Sequence, residues 1–231
     1  MTSVRELSVL VVGATGGLGS AISRRLSAAG AQLTLLGRDR GRLEALGLDA
    51  ALVTGDLRRA ETAERAVAAA VAAHGRIDAV VVASGVVAFG PAGELPDEIL
   101  VDLFLINTLA PIRLLRAALP SLVESAHAGR APLVVNLSAI VAEQPAAGMA
   151  AYSASKAALT AWDAAAGREL RRAGIRLVDA RPPHTETGLV DRPLTGTAPR
   201  LPRGLDPEAV AARVLAAIEG DDRDLPSSAF G

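Results

Sequence analysis

The sequence predicts an α/β fold of the doubly wound kind, in which a mostly parallel sheet is flanked by helices on both faces. Two observations point to it: short aliphatic runs alternate with helical stretches along the chain, and a glycine-rich turn directly follows the first run. Runs without polar alternation indicate strands buried on both faces, as in parallel sheets. Strict alternation of such strands with helices is typical of a doubly wound sheet. The predicted strands are residues 8–12, 32–36, 50–54, 79–83, 133–137 and 176–180.

The composition favours a single domain over residues 1–231. Half of the residues are hydrophobic and 2% are aromatic, so the core must be built from aliphatic side chains. The formal net charge is −1 and no basic block occurs, which argues against nucleic acid and an anionic membrane surface as partners. No apolar run approaches the roughly 20 residues that span a bilayer, and residues 1–8 are too short and polar for a signal peptide.

Cysteine and histidine usage limits the chemistry further. The chain has no cysteine, so it has neither disulfides nor thiolate metal ligands, as expected of a cytoplasmic protein. Its three histidines lie far apart in sequence. We therefore expect no metal site.

The glycine-rich turn after the first strand carries the clearest binding signal. Glycines at a strand-to-helix turn let the backbone approach a pyrophosphate, and the helix N-terminus supplies N–H groups to hold it. A strand before the turn and a helix after it distinguish this motif from an ordinary turn. The pattern predicts a dinucleotide-binding Rossmann fold. The residues expected to bind the cofactor here are Gly13, Thr15, Gly16, Gly17, Leu18 and Gly19.

The end of the second strand bears on which dinucleotide is bound. A carboxylate at this point normally grips the ribose 2′-OH of NAD(H), whereas an arginine suits the 2′-phosphate of NADP(H). Gly37 stands where the acid would be and Arg38 follows it, so NADP(H) is favoured. NAD(H) stays possible, because Asp39 lies 20 residues after Gly19, within the usual spacing of the acidic residue.

The next two strand ends also lie at the predicted binding edge. Asp56 and Leu57 follow the third strand, and Ala83, Ser84 and Gly85 follow the fourth. Ligands of open parallel sheets bind at the carboxyl ends of the strands, so these five residues are predicted cofactor contacts. For Asp56 the alternative interpretation is a cap on the following helix.

Tyr152 and Lys156 are the single tyrosine and the single lysine of the chain. Four residues apart on a helix, their side chains share one face. A phenol has a reference pKa near ~10, and a cation at about 4 Å contributes up to ~4 kcal/mol at an effective dielectric of ~20. The lysine could therefore bring the pKa of the tyrosine within reach of neutrality, which predicts a proton-transfer pair. The alternative is an exposed helix face without a chemical role.

Two further polar residues are candidates for the same site. Pro111 lacks the N–H that would bond the carbonyl of Asn107, so we expect a free carbonyl and a kink in the helical region 97–125. Ser138 follows the fifth strand, where a hydroxyl could hold a substrate oxygen. The alternatives are a mere helix junction and an ordinary turn serine. No histidine or acid lies near Ser138 in sequence to make it a nucleophile.

Over nearly the whole chain, the sequence resembles the classical short-chain dehydrogenase/reductase (SDR) family. The motifs that carry the resemblance are, in order, Gly13-x-x-x-Gly17-x-Gly19, Asp56-Leu57, Asn107, Ser138 and Tyr152-x-x-x-Lys156. The resemblance implies that Tyr152 is the general acid/base, that Lys156 lowers its pKa and binds the nicotinamide ribose, and that Ser138 orients the substrate carbonyl. It also implies that the backbone carbonyl of Asn107 holds a water that relays protons to Lys156.

The resemblance extends beyond the sixth strand, with departures. Pro182-Pro183 replaces the Pro-Gly of the family, while Thr187 keeps the threonine expected to hold the nicotinamide carboxamide; Pro182 and Thr185 are further expected cofactor contacts. Residues 182–206 contain five prolines and no periodicity, which predicts a lid over the substrate. Residues 221–231 lack the Asp-Gly-Gly of the family, so we expect no closing strand there.

These observations together predict an NADP(H)-dependent carbonyl reductase or alcohol dehydrogenase that acts on a small, uncharged or apolar molecule. A homodimer or homotetramer is expected, with a dimer formed through the long helices around 97–125 and 151–173. Two other hypotheses are a non-catalytic NADP(H)-binding regulator or scaffold and a non-redox lyase or dehalogenase on the same fold. The residues expected to line the substrate pocket are Val86, Val87, Phe89, Ile140, Val141, Gln144, Met149 and His184.

Overall fold

A seven-stranded parallel sheet forms the centre of the molecule. The computed structural model describes residues 3–5 and 7–231. The strand order is β3-β2-β1-β4-β5-β6-β7, and every pair of neighbours is parallel, which confirms the predicted doubly wound fold. The strands are β1 (Ser8–Val12), β2 (Gln32–Gly37), β3 (Ala50–Thr54), β4 (Ala79–Val82), β5 (Leu133–Leu137), β6 (Arg176–Ala180) and β7 (Asp224–Leu225).

Helices cover both faces of the sheet. They are α1 (Gly17–Ala28), α2 (Arg40–Glu44), α3 (Glu61–His74), α4 (Asp97–Phe104), α5 (Ala110–His127), α6 (Ala150–Leu170) and α7 (Pro207–Glu219). Alternate residues of β1 enter two separate cores: Val9 and Val11 pack with α1 and α7, whereas Leu10 and Val12 pack with α3, α5 and α6. This is why the strands are apolar throughout, without polar alternation.

The seventh strand corrects the sequence prediction. β7 pairs with β6 through Asp179↔Asp224 and Ala180↔Leu225, and the Arg181 amide donates to the Leu225 carbonyl at 2.9 Å. The sequence predicts no closing strand at this end of the chain. A strand of two residues is too short to show a periodicity or an apolar run, so its sequence does not predict it.

The helical region around Asn107 is interrupted as expected. Between α4 and α5, residues Leu105–Leu109 form a π-helical turn that contains Asn107, and Pro111 lies in the first turn of α5. A proline in that position needs no N–H partner within the helix. The α-helical hydrogen-bonding pattern therefore breaks just before the proline. Across residues 3–5 and 7–231, no helix is both long and apolar enough to cross a bilayer.

Residues 182–206 form a loop that folds back over the protein. Its contacts with the segment after β4 include two backbone hydrogen bonds, from the Leu194 amide to the Val87 carbonyl (2.8 Å) and from the Phe89 amide to the Thr195 carbonyl (3.0 Å). Its two ends meet where Thr185 and Leu205 form an isolated parallel bridge. The loop is thus anchored at both its base and its middle.

Candidate active site

A cleft opens at the carboxyl ends of the strands, between β1 and β4, where the strand order reverses. Ligands of open α/β sheets bind at such a switch point. One end of the cleft is lined by the glycine turn, the other by Tyr152 and Lys156. The order of the strands in the sheet brings these two sequence motifs to one edge, although about 140 residues separate them.

The glycine turn is shaped for a close approach of backbone. Gly13 has a φ of +78°, and a Cβ on it would come within 2.8 Å of the Ser84 backbone. A Cβ on Gly17 would lie 2.6 Å from the Cβ of Thr187, and one on Gly19 would overlap the Gly13 carbonyl. Side chains at these three positions are therefore excluded by sterics.

The N-terminus of α1, which begins at this turn, is free to bind an anion. Its N-cap, Gly16, offers no side-chain oxygen, and no acidic residue lies in the first turn. The first N–H groups of a helix have no partner within the helix and carry partial positive charge. Next to the turn, the buried Ser84 hydroxyl has no hydrogen-bond partner in the described part of the chain. This end of the cleft is a cradle for a phosphate-bearing ligand.

Two exposed arginines stand at the end of β2. Arg38 and Arg42 both line the cleft, and the Arg42 guanidinium donates to the Thr15 carbonyl at 3.0 Å. Asp39, the acid that kept NAD(H) possible, caps α2: its carboxylate accepts from the Arg42 amide at 3.0 Å. Asp39 does not line the cleft. The charge that this corner offers to a ligand is therefore positive.

The end of β3 adds a third arginine. Arg58 lines the cleft but makes two hydrogen bonds to Asp102 on α4, at 2.8 and 2.7 Å. The carboxylate of Asp56 accepts from the Arg58 amide at 3.0 Å, whereas α3 has Ala60 as its N-cap. Asp56 thus turns the chain after the strand, and the alternative in which it caps the helix is wrong.

The Tyr152 phenol is buried at the cleft wall. The residue is 8% exposed, and burial raises the pKa of Tyr152 to about 12. Within residues 3–5 and 7–231, its hydroxyl has no hydrogen-bond partner. The pKa of the phenol is therefore raised, where the sequence suggested a lowered one, because burial disfavours the phenolate.

Lys156 lies one turn further along α6 and is also buried. Its ammonium donates to the carbonyl oxygen of Leu137 at 2.8 Å. Burial lowers the pKa of Lys156 to about 8, while the charges of Asp179 and Asp163 act in the opposite direction. The lysine is thus held at the end of β5 by one neutral acceptor and two more distant carboxyl groups.

Asn107, in the π-helical turn, connects the segments that lie beneath the site. Its side chain accepts from the Val86 amide (2.9 Å) and donates to the Val86 carbonyl (2.9 Å) and to the Ser155 hydroxyl (3.0 Å). A Cβ on Gly85 would lie between Lys156 Nζ and Asn107 Oδ1, about 3.4 and 3.5 Å away. Asn107 is buried and does not line the cleft, but it fixes the segment after β4 against α6.

Ser138 lines the cleft, yet its hydroxyl faces helix α6. It lies 2.9 Å from the Thr160 hydroxyl and 3.4 Å from the Lys156 carbonyl oxygen. The next residue, Ala139, packs against the apolar cluster that includes Tyr152. The Ser138 hydroxyl, which the sequence suggested for a substrate oxygen, is thus engaged by Thr160.

The lid covers an apolar cluster beside Tyr152. Leu189, Val190 and Leu194 of the lid pack against a cluster of buried side chains from the rest of the site. A Cβ on Gly196 would overlap the Phe89 carbonyl, so the lid lies directly on the segment after β4. The buried members of the cluster are Val87, Ala88, Phe89, Leu103, Val141, Met149 and Tyr152.

The structure brings most, but not all, of the sequence-predicted residues to the cleft. Those that line it are Gly13, Thr15, Gly16, Gly17, Leu18, Gly37, Arg38, Asp56, Leu57, Ala83, Ser84, Gly85, Val86, Ser138, Tyr152, Lys156 and Thr187. Those that do not are Gly19, Val87, Phe89, Asn107, Ile140, Val141, Gln144, Met149, Pro182, His184 and Thr185. Of these, Ile140 and Met149 belong to the apolar cluster under the lid, and Gln144 is exposed.

His184 and Thr185 have partners inside the lid. His184 Nε2 lies 3.7 Å from the Glu186 carboxylate, and the Thr185 hydroxyl donates to the Pro183 carbonyl at 2.9 Å. Sequence reasoning also missed several residues of the cleft wall: Leu36, Arg42, Gly55, Arg58, Ile106, Leu137, Leu189 and Arg192. Among the described residues, no group of three or more potential metal ligands comes together.

Parallel Rossmann topology, a glycine cradle and a Tyr/Lys pair across one cleft define the short-chain class of oxidoreductases. The sequence profile of the short chain dehydrogenases matches residues 8–195, so the chain belongs to the short-chain dehydrogenase/reductase family and is an oxidoreductase.

Named relatives agree with this assignment. The 1-deoxy-11-beta-hydroxypentalenate dehydrogenase of Streptomyces exfoliatus is 34% identical, over 94% of this chain and 80% of its own. A metagenomic short-chain oxidoreductase solved in complex with NADP is 29% identical, covers 97% of both chains and has a TM-score of 0.79. A 3-ketoacyl-(acyl-carrier-protein) reductase from Brucella melitensis, complexed with NADH, is 23% identical and shares the fold over 99% and 100% of the two chains, with a TM-score of 0.88.

Proposed function

We propose that this oxidoreductase transfers a hydride between NADP(H) and a small carbonyl or alcohol substrate of uncharged, largely apolar character, with Tyr152 as the general acid/base. The observation that carries the proposal is the shared cleft: the glycine cradle lines one end, and Tyr152 and Lys156 line the other. A cofactor in the cradle and a proton donor at the far wall are what carbonyl reduction requires.

The cradle fits a nicotinamide dinucleotide. Gly17 leaves no room for a side chain, the first turn of α1 has free N–H groups, and the Ser84 hydroxyl lacks a partner among the described residues. The bound nicotinamide would supply the hydride. Gly13, Gly16 and Gly17 would hold the pyrophosphate, and Lys156 the ribose hydroxyls, with Thr187 adjacent to the turn.

NADP(H) is proposed over NAD(H) because of the charges at the end of β2. Arg38 has no partner within the described residues, and the Asp39 carboxylate is occupied as a helix cap. A 2′-phosphate would gain two cations here, and Asp39 does not line the cleft. Two solved relatives support the choice only partly, since one holds NADP and the other NADH.

The protein's own contribution to proton transfer follows from Tyr152. With a pKa of about 12 the phenol keeps its proton at neutral pH, so it can donate that proton to the oxygen of a carbonyl under reduction. In the opposite direction the phenol would have to act as a base, and the Lys156 charge would then stabilise its anion. The apolar side chains beside Tyr152 favour an uncharged substrate.

A catalytic survey tests this function. NADPH oxidation is followed with aldehydes, ketones and quinones, for the wild type and for Tyr152→Phe, with NADPH affinity measured on both. We expect turnover of uncharged carbonyl compounds, lost by about 100-fold or more in the variant at unchanged NADPH affinity. Turnover confined to charged or phosphorylated carbonyls would contradict the proposed substrate class.

A non-catalytic NADP(H)-binding regulator is the second candidate. It is favoured by one observation: the Ser138 hydroxyl is engaged by the Thr160 hydroxyl at 2.9 Å. Tight NADPH binding without turnover of any carbonyl would select it. The intact Tyr152/Lys156 pair argues for the enzyme, because a sensor needs no proton donor.

We also propose a homodimer through α4 and the turn that follows it. Val101 is 56% exposed, Phe104 38% and Leu109 41%, an unusual set of bare apolar side chains. Sedimentation analysis should give a dimer for the wild type and a monomer for Val101→Glu. A wild type that sediments as a monomer would contradict the proposed dimer.

A further inference from the structure

A column of polar side chains lies beneath the catalytic pair, on the face of α6 that packs against the sheet. Lys156 is followed one turn later by Thr160 and then by Asp163, while Asp179 on β6 faces the same layer. Both carboxyl groups are buried, at 4% and 5% exposure. Buried carboxyl groups without full pairing are costly, so a structural or chemical reason is required.

The hydrogen bonds of this column leave an excess of acceptors. Asn136 donates to Asp163 Oδ1 at 2.7 Å, and Asp179 Oδ2 accepts from Arg181 at 2.6 Å. Three oxygens remain buried without a donor among the described residues: Asn136 Oδ1, Asp163 Oδ2 and Asp179 Oδ1. Asn136 and Asp179 are direct partners on neighbouring strands, so both side chains project towards α6. Because these acceptors have no remaining donor, a proton bound to one of the carboxyl groups would supply the missing hydrogen-bond donor.

The charges lead to the same conclusion. Arg181 is shared between Asp179, Glu143 and Asp224, so two carboxylates nearer the surface already balance its charge. Within the column, the ionisable groups that remain are Lys156 and the two carboxyl groups. If both carboxyl groups were ionised, two negative charges would face one positive charge in a buried site. One bound proton makes the count equal.

The titration behaviour agrees with this count. Burial, and then the charge of Asp179, raise the pKa of Asp163 to about 8, and burial also raises the pKa of Asp179. In a coupled pair of this kind the proton belongs to the pair rather than to one residue. Lys156, Arg181 and Asp224 are the other charged groups that act on it.

We propose that Asp163 and Asp179 hold one proton between them, and that the single negative charge left on the pair keeps the buried Lys156 an ammonium. The inference rests on the proposed function only in taking Lys156 as the cation that serves the Tyr152 phenol. Asp163 and Asp179 are then positioning residues that act through the lysine. Neither lines the cleft.

The first test needs no turnover. Infrared difference titration of the free protein reports protonated carboxyl groups directly, and it is applied to the wild type, Asp163→Asn, Asp179→Asn and the exposed-site control Asp49→Asn. We expect one protonated carboxyl at about pH 7 in the wild type and in the control, and none in either single variant, because the remaining acid then ionises beside Lys156. A wild type without this signal, or a signal that persists in either single variant, would overturn the proposal.

The second test uses the pH dependence of kcat/KM for NADPH-driven reduction. Each single variant keeps one negative charge. The apparent pKa of the high-pH limb of its kcat/KM profile should therefore stay within about half a pH unit of the wild-type value. The double variant Asp163→Asn/Asp179→Asn leaves Lys156 without a counter-charge. The apparent pKa of the high-pH limb should therefore fall by about one pH unit or more. A double variant with the wild-type profile would contradict the proposal. If the wild type turned over nothing, the proposed function would fail while the infrared test still decided on the shared proton.

Discussion

The Lys156 ammonium donates a 2.8 Å hydrogen bond to the carbonyl oxygen of Leu137, the last residue of β5. The lysine is only 3% exposed, so its four-carbon stem is enclosed between α6 and the sheet. The strand end thereby determines where the positive charge lies, one helical turn from Tyr152. A side chain of different length or shape cannot reproduce this arrangement.

Lys156→Arg should therefore abolish most activity, although it keeps the charge. The wider, planar guanidinium does not fit the enclosed position of the ammonium, so we expect kcat/KM to fall by about 100-fold or more. The exposed-site control Arg172→Lys should leave kcat/KM unchanged. Near-normal activity of Lys156→Arg, with a folded protein by circular dichroism, would rule out the role given to the lysine.

Arg38 and Arg42 should decide between the two cofactors. Charged hydrogen bonds contribute about 1.5–3 kcal/mol, so Arg38→Ala and Arg42→Ala should each weaken NADPH binding by about tenfold or more, with little change for NADH. Arg40→Ala is the matched control, because Arg40 pairs with Glu44 on the exposed side of α2. Fluorescence titration with both cofactors provides the measurement. Equal losses for NADPH and NADH would refute the NADP(H) assignment.

Gly17→Ala should weaken cofactor binding through the lid. The added Cβ would lie 2.6 Å from the Cβ of Thr187, so either the lid or the turn must move. We expect the NADPH Kd to rise by about tenfold or more, with a smaller effect on the melting temperature. Gly93→Ala serves as the control, since nothing lies within 4 Å of its Cβ. An unchanged Kd in Gly17→Ala would show that Thr187 yields freely.

Ser138→Ala distinguishes two roles for the serine. Since its hydroxyl is bonded to Thr160, we expect kcat to fall by less than about tenfold, well below the 100-fold or greater loss of Tyr152→Phe. Thr160→Val should have a similar, modest effect, because it removes the other member of the same hydrogen bond. If Ser138→Ala instead matched Tyr152→Phe, the serine would be the group that holds the substrate oxygen.

The sequence was most informative where one local rule applied. Continuous aliphatic runs located six strands to within one residue, because burial on both faces demands apolar side chains at every position. The glycine turn could be predicted equally well, since its geometry admits only glycine at positions such as Gly13.

Prediction failed where side-chain direction or tertiary contact decided the outcome. Two-residue periodicity puts Ser138 on the same side as Asn136, towards α6, so the side-chain direction of Ser138 follows from the strand and not from its place at the strand end. Arg42 and Arg58 reach the cleft from a helix and a loop, so no motif marks them. The excess of acceptors around Asp163 arises only when β5, β6 and α6 pack together.

The pH dependence of stability should reveal Asp163. In the folded protein its pKa is raised to about 8, whereas an unfolded aspartate titrates near ~3.9. Between these values the folded state holds a proton that the unfolded chain has released. The contribution of Asp163 to the free energy of unfolding then decreases as the pH rises, by at most about 1.4 kcal/mol per pH unit, and levels off above about pH 8. Asp179, whose pKa is also raised, acts in the same direction.

Asp163→Asn should remove that slope without removing the hydrogen bond that the Asn136 amide donates at this site. Relative to the wild type, the variant should gain stability steadily from about pH 5 to about pH 8, while Asp49→Asn should run parallel to the wild type. Lys156 does not disturb this window, because its pKa is lowered to about 8 and its contribution changes only above that pH. Urea unfolding at four pH values gives the comparison. A stability difference between Asp163→Asn and the wild type that does not vary with pH would show that Asp163 is already ionised, because only a carboxyl that binds its proton more tightly in the folded state can produce the slope.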